Sequence, residues 1–179
     1  MSLKETYIKE ILPALQKELG LTNVMEVPKI EKVVINIWIW TYIKSGNKDF
    51  SSLKEHLKLI SGQEPTVRYA RKAISNFKLR AGMPVGLAVT LRGDNMYAFL
   101  EKLINIVLPR VRDFRGVNKN SFDTAWNYNF GLKEHSIFLE VPQDDVIATS
   151  GMQITIKTTA KTKEQWSQLL KMAWFPFSK

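Results

Sequence analysis

Apolar and polar side chains alternate from Val85 to Gly93, and this stretch limits the fold more than any other. A period of two predicts a β-strand with one buried face and one polar face. Similar patterns predict strands from Lys29 to Ile37 and from Gln153 to Thr159. If the strands pair in register, one face carries Asn36, Thr90, Arg92, Thr155 and Lys157. Such a face suits hydrogen bonding and attraction of phosphate, although many antiparallel sheets have a polar face that only meets water.

Apolar residues at helical spacing occupy the segments between the strands. Helices are predicted over residues 3–19 and 96–107, with a shorter helix around Leu57. Pro13 and Pro109 are expected to kink or interrupt these helices, because proline lacks a backbone N–H and restricts the preceding residue. The expected N-caps are Asp94 and Thr162, the second in a capping box with Gln165. Strands mixed with helices indicate an open sheet with helices on its other face.

The charge balance points to a negatively charged partner. The 179 residues carry a net charge of +9, and the isoelectric point is about 9.7. Nucleic acid is therefore the first candidate partner and an anionic membrane surface the second. No apolar run approaches the roughly 20 residues that cross a bilayer. The absence of cysteine excludes disulfides and thiolate metal sites, and it fits a reducing compartment.

The sequence contains no recognisable catalytic or metal-binding motif. His56 and His135 each follow a glutamate, but they lie far apart and match no metal-ligand spacing. The glycine-containing segment GMPVG is too short for a phosphate-binding loop and lacks the lysine. No nucleophile-elbow pattern occurs. We therefore predict a protein that is not an enzyme and that needs no cofactor or metal.

Two segments concentrate the positive charge. Residues 68–80 contain five basic residues and no acidic one, with Asn76 and Phe77 among them. Cations for phosphates and a ring for stacking are typical of an RNA-binding loop. A mobile loop with Phe77 packed into the core is the alternative. The segment LPRVRDFRG, residues 108–116, places three arginines within six residues and fits phosphate recognition, or else a solvated basic loop.

Long motifs identify a family. The chain resembles bacterial large-subunit ribosomal protein number five, the family that binds 5S ribosomal RNA. The resemblance runs nearly end to end through NVMEVPKIEKVVINI, SGQEP, ISNFKLRAGMPVG, VTLRGDNMYAFLEKL, LPRVRDFRG, NYNFGLKEH, TTAKT and FPF. It implies an α+β fold with a curved, mostly antiparallel sheet backed by helices on one face, and long basic loops. It also implies a single domain over residues 1–179, whose parts 1–60 and 61–179 share one sheet.

The resemblance further implies a place in the central protuberance of the large ribosomal subunit, in the cytoplasm. The implied partners are 5S rRNA, 23S rRNA, peptidyl-site tRNA, other 5S-binding ribosomal proteins and a small-subunit head protein, with no membrane. Residues implied to face 5S rRNA are Asn36, Gln63, Thr90, Arg92 and Lys32. The implied tRNA-contacting loop contains Arg71, Lys72, Ser75, Asn76, Phe77, Lys78 and Arg80. The implied intersubunit bridge includes Arg110, Arg112, Asp113 and Arg115. A free-standing RNA-binding or RNA-chaperone module is the alternative function.

The tryptophans depart from the family pattern. Trp38, Trp40, Trp126 and Trp174 stand where the family has glycine, and Trp166 stands where glycine is common. Glycine is used where the backbone needs a positive φ or a close approach, and an indole there is ordinarily unfavourable. We hypothesise that these codons are UGA, which some bacterial lineages read as glycine. The alternative is that Trp38 and Trp40 are genuine and stack beside the RNA-facing surface.

Overall fold

The structure, a computed structural model, describes residues 3–40, 43, 50–142, 150–173 and 175–177. The strands are β1 (Ile30–Trp38), β2 (Thr66–Tyr69), β3 (Pro84–Leu91), β4 (Tyr128–Leu132) and β5 (Met152–Thr158). They form one five-stranded sheet in the order β2-β3-β1-β5-β4, so β2 and β4 are its edges. Together with the helices, this antiparallel sheet confirms the predicted α+β fold.

Helices connect the strands. The first helix, α1, runs through Leu3–Thr6, the π-helical turn Tyr7–Ile11 and Leu12–Glu18. Helix α2 is Ser51–Ser61, and helix α4 is Lys163–Met172. Helix α3 runs through Gly93–Lys102, the π-helical turn Leu103–Val107 and Leu108–Arg110. Short 3₁₀ turns occupy Val24–Glu26, Ser75–Phe77 and His135–Ile137.

The chain forms two compact units, each assembled from separate stretches. The first unit comprises Met1–Val33, Leu91–Phe130 and Thr155–Lys179. The second comprises Val34–Thr90 and Gly131–Ile154. Strands β1, β3, β4 and β5 each run from one unit into the other, as their bounds require. The single domain divided near residue 60 stays a prediction.

Each unit has its own apolar core. In the first unit, the rings of Tyr128 and Trp166 are buried and lie 5.4 Å apart between centroids, next to Phe122 and Phe177. The second unit buries the alternating strand residues Ile35, Ile37, Leu87 and Val89 together with Leu53, Leu57 and Ile60 of α2. Apolar burial of this kind is the main favourable contribution to folding, so the period-two pattern identified the correct strand faces here.

Both helical prolines follow a π-helical turn, which explains how helix continues through them. The N–H of Leu12 donates to the carbonyl of Tyr7, five residues earlier, and the N–H of Leu108 donates in the same way to Leu103. A π turn shifts the hydrogen-bond register by one residue, so the N–H that proline lacks falls at the start of a new helical segment. The expected interruption at Pro109 is therefore wrong, since α3 ends only at Arg110.

The two expected helix caps have different outcomes. Thr162 caps α4: its hydroxyl accepts a hydrogen bond from Gln165 N, while the Gln165 side chain accepts one from Lys161 N. Asp94 is not an N-cap, because α3 begins one residue earlier, at Gly93, and Arg92 occupies the cap position. The Asp94 carboxylate instead forms an ion pair with Lys4, which joins α3 to α1 within the first unit.

Candidate nucleic-acid interface

The connection between β2 and β3 continues their antiparallel pairing as a hairpin, held by further backbone hydrogen bonds. Ala70 N donates to Met83 O at 2.8 Å, and Gly82 N donates to Ala70 O at 2.9 Å. Nearer the tip, Ile74 and Leu79 exchange hydrogen bonds of 2.9 and 3.1 Å around the Ser75–Phe77 turn. These backbone hydrogen bonds hold the loop without engaging the side chains at its tip.

The side chains of this hairpin point to solvent. Exposed residues of the predicted tRNA loop are Arg71, Lys72, Ser75, Asn76, Phe77, Lys78 and Arg80. None of its four cations forms a salt bridge with any residue in the described part of the chain. The Phe77 ring is 59% exposed, so the alternative in which Phe77 packs into the core is wrong. The structure therefore presents cations and a bare ring together, as stacking and phosphate binding require.

In the second unit, strands β1 and β3 and the segment after α2 hold three of the predicted 5S-facing residues. The asparagine and threonine, Asn36 and Thr90, are partly buried, whereas Gln63 is exposed. Their side chains make no hydrogen bond to any described residue. Partly buried amide and hydroxyl groups normally have hydrogen-bond partners. Since these have none among the described residues, they are available to a binding partner.

The segment Ser61 to Pro65 is fixed by its own contacts. Gly62 ends α2 in the left-handed conformation, with φ of 66°, and its N–H bonds to Lys58 O. The Ser61 hydroxyl donates to Leu57 O at 2.6 Å and accepts from Gln63 N at 3.3 Å. The acid of the segment, Glu64, pairs with Lys54 and Lys58, and these hydrogen bonds lower its pKa. The Gln63 backbone is thus held while its side chain stays free.

In the first unit, Lys32 and Arg92 lie close to an acid that the sequence analysis missed. Lys157 Nζ lies 3.0 Å from Glu31 Oε2. The hydrogen bond from Lys157 is the largest cause of a lowered Glu31 pKa, and the positive charges of Lys157, Lys32 and Arg92 lower it further. Strict alternation along β1 would put Glu31 on the same face as Val33 and Ile35. It is exposed because the pattern is broken between Ile30 and Val33, which are both buried.

Two other members of the expected polar face have partners inside the protein. Thr155 Oγ1 donates to Asn129 Oδ1 at 2.6 Å, and Lys157 is held by Glu31. The polar strand positions are therefore divided between internal hydrogen bonds and groups without a partner. The second class, which contains Asn36 and Thr90, is the one available to a ligand.

The arginine segment, which begins at the last residue of α3, exposes its charged side chains. The arginines Arg110, Arg112 and Arg115 form no salt bridge with any described residue, and neither does the single acid, Asp113. Asp113 adopts a left-handed backbone with φ of 53°, which asparagine and aspartate tolerate better than most residues. This segment therefore offers three planar donors and one acceptor to a partner.

The two histidines meet although no spacing in the sequence indicated it. Within the second unit, His56 Nδ1 lies 3.3 Å from His135 Nε2, and the two buried rings stack with centroids 5.4 Å apart. Burial lowers the pKa of His135, and the nearby His56 lowers it further. Ser150 N and Ser150 O both lie within 3.2 Å of His135 Nδ1. No group of three or more potential metal ligands occurs within the described ranges.

The tryptophans behave differently from one another. Trp126 has a φ of 59°, a region that L-residues other than Asn and Asp rarely adopt. Trp166 is packed among aromatic rings, but its indole N–H finds no acceptor among the described atoms. Trp38 is 58% exposed and Trp40 is partly buried, while Trp174 lies outside the described residues. The conformation at Trp126 is the one that glycine adopts most readily.

The fold and these surfaces define a class of protein. An α+β protein with several polar strand side chains left without partners and two exposed basic segments has surfaces suited to a folded polyanion such as RNA. No helix within the described ranges is long and apolar enough to span a membrane.

Comparison with known proteins gives the family. The family model described as "Ribosomal protein L5" matches residues 23–80, and the model for the C-terminus of the same ribosomal family matches residues 84–177. Proteins named "Large ribosomal subunit protein uL5" are similar over almost their whole length. The chain is 52% identical to that of Dictyoglomus turgidum over 177 residues, covering 99% of this chain and 98% of the relative. For Thermosipho africanus the identity is 53% over 178 residues, covering 99% and 97%. For Thermus aquaticus it is 50% over 179 residues, covering 100% and 98%.

The chain therefore belongs to the ribosomal protein L5 family. This confirms the family that the motifs indicated, and with it the prediction of a ribosomal protein rather than an enzyme. The residues implied to face 5S rRNA, tRNA and the small subunit stay predictions.

Proposed function

We propose that this ribosomal protein binds 5S rRNA and helps to attach it in the central protuberance of the large subunit. The observation that carries this proposal is the set of unpaired groups at Asn36, Gln63 and Thr90 in the second unit. Each can donate or accept a hydrogen bond, and none is used by a described residue. In the first unit, Arg92 and Lys32 add positive charge for phosphates.

The hairpin between β2 and β3 is proposed to contact peptidyl-site tRNA. Its four cations have no acidic partner in the described part of the chain, and Phe77 presents a ring for stacking. The arginine segment that begins at the end of α3 is proposed to form the intersubunit bridge with a small-subunit head protein. Exposed arginines are enriched in protein interfaces, which favours this assignment. Contacts with 23S rRNA and with other 5S-binding proteins complete the proposal.

Binding to 5S rRNA is tested by the double variant Asn36→Ala with Thr90→Ala. Loss of two hydrogen bonds at about 1 kcal/mol each is expected to weaken binding by about 2 kcal/mol, or roughly 30-fold. The matched control is Asn105→Ala with Thr22→Ala, which removes the same side chains from exposed positions without hydrogen bonds. Equal affinity of the double variant and the wild type in a filter-binding titration would remove this face from the site.

Sedimentation separates the proposal from a free-standing RNA-binding or chaperone module. A tagged copy expressed in a bacterial host is expected to travel with the large subunit on a sucrose gradient at physiological salt. Because phosphate contacts dominate, its affinity for 5S rRNA is expected to fall about 10³-fold between 50 and 200 mM salt if about six phosphates are engaged. A copy found only in the light fractions would support the alternative.

A further inference from the structure

A hollow lies on the polar side of the sheet within the second unit. Its volume is about 490 Å³, inside the roughly 300–1,000 Å³ of small-molecule pockets. The hollow is lined by Asn36, Ile37 and Trp38 of β1, Arg68 of β2, and Val85, Gly86 and Leu87 of β3, with Leu132, Gly151, Met152 and Gln153. All of these residues belong to the second unit.

Glycine creates this hollow. Gly86 pairs with Arg68 across the antiparallel ladder, and directly opposed residues point to the same face of a sheet. Gly86 has no side chain, so it leaves space beside Arg68 in the hollow that Asn36 also lines. A Cβ at Gly86 would lie 3.2 Å from the Ile37 carbonyl oxygen, a tight contact that a larger residue could make only if the neighbouring strand shifted by a few tenths of an ångström.

Three polar side chains around the hollow have no partner. The amides of Asn36 and Gln153 make no hydrogen bond to any described residue, and Arg68 has neither a hydrogen bond nor a salt bridge there. Two amides and a guanidinium without partners thus line one depression. Two amides can each donate and accept, as base edges require, and a guanidinium matches a phosphate.

We propose that this hollow holds one unstacked nucleotide of the RNA that the protein binds. Its base would enter over Gly86 and hydrogen-bond to Asn36 and Gln153, while its phosphate contacts Arg68. RNA-binding proteins read sequence mostly from such splayed bases. The proposal rests on the function proposed above and extends the site by Arg68 and Gln153. Trp38 forms an exposed wall of the hollow, but it is not one of the three polar groups proposed to contact the nucleotide.

The test is a binding titration with in vitro transcribed bacterial 5S rRNA. Gln153→Ala is expected to weaken binding about three- to tenfold, the range for one lost hydrogen bond. Arg68→Ala is expected to weaken it about tenfold and to reduce the slope of log K against log salt by about 0.9. The controls are Asn105→Ala for the amide and Lys171→Ala for the charge, both exposed and in the first unit. Unaltered melting temperatures would show that the variants fold.

Chemical footprinting then identifies the nucleotide. One base that is unpaired in the bound RNA should be protected from modification by wild-type protein and reactive with Gln153→Ala. An abasic residue at that position should weaken wild-type binding about tenfold and add little to the loss in Gln153→Ala. If the wild-type protein binds 5S rRNA and both variants bind as well as their controls, the hollow does not hold a nucleotide, and the proposed function still stands. No binding by wild-type protein would overturn the proposed function itself. Trp38→Gly, as a separate arm, measures whether the indole adds stacking.

Discussion

Glu31 is an acid among the cations of a surface proposed to bind RNA, and its removal tests that assignment. Its carboxylate lies 3.0 Å from Lys157 Nζ, and the charges of Lys32 and Arg92 also act on it. These cations lower its pKa, so the side chain remains ionised throughout the neutral range. It therefore neutralises part of the charge that would otherwise meet phosphates. Glu31→Gln preserves the size of the side chain and frees Lys157.

The size of the expected change in salt dependence follows from one additional free cation, Lys157. Each neutralised phosphate contributes about −0.9 to the slope of log K against log salt, so the Glu31→Gln slope should be steeper by about 0.9. Over a fourfold rise in salt, the variant should then lose about 3.5-fold more affinity than the wild type. At low salt the variant should bind 5S rRNA several-fold more tightly. Exposed ion pairs contribute little to stability, so its melting temperature should be nearly unchanged.

The assay is fluorescence anisotropy with labelled 5S rRNA at four salt concentrations. Glu26→Gln is the matched control, because Glu26 is exposed in the same unit and has no salt bridge with a described residue. It makes the same change in net charge away from the cations. If Glu31→Gln and Glu26→Gln give the same slope and affinity, Lys157 and its neighbours do not face RNA, and the reasoning is refuted.

Four other outcomes are expected. Burial favours neutral His135, with a pKa below the ordinary 6.5, so stability should be retained above about pH 6.5 and lost as the pH falls below it. His135→Gln should flatten this dependence in urea titrations between pH 5 and 7.5, and an unchanged profile would contradict it. Because Trp126 has a φ of 59°, Trp126→Gly should be more stable than Trp126→Ala by about 1 kcal/mol, and the reverse order would exclude a glycine-type site. The mass of native protein should show fewer than five tryptophans if the recoding hypothesis is right, and five would end it. Phe77→Ala should weaken peptidyl-site tRNA binding by about 1–3 kcal/mol, whereas the exposed neighbour control Ile74→Ala should not; equal effects would exclude stacking.

Local patterns predicted the strands well because burial leaves a direct trace in the sequence. The alternation at β1 and β3 identified Ile35, Ile37, Leu87 and Val89 as buried, and all four are. Thr162 was also predicted correctly, since a capping box is a contact between residues three apart. Such features can be predicted from the sequence because the interacting residues lie within one helical turn or one strand.

The features that were missed depend on distant residues or on a changed hydrogen-bond register. Pro109 lies inside α3 because a π turn precedes it, and no residue pattern marked that turn. Asp94 pairs with Lys4, which is 90 residues away, instead of capping its helix. The contacts of Glu31 with Lys157 and of His56 with His135 likewise arise from pairing across the fold. The hollow over Gly86 requires the register of β2 against β3, which cannot be read from local patterns.

The proposed surfaces suit a protein whose main ligand is one particular RNA. The most direct test is to purify the tagged protein from cells under mild salt and to sequence the RNA that comes with it. The account predicts that 5S rRNA is the dominant species, close to one copy per protein. A wide mixture of messenger and transfer RNAs with no excess of 5S rRNA would contradict it.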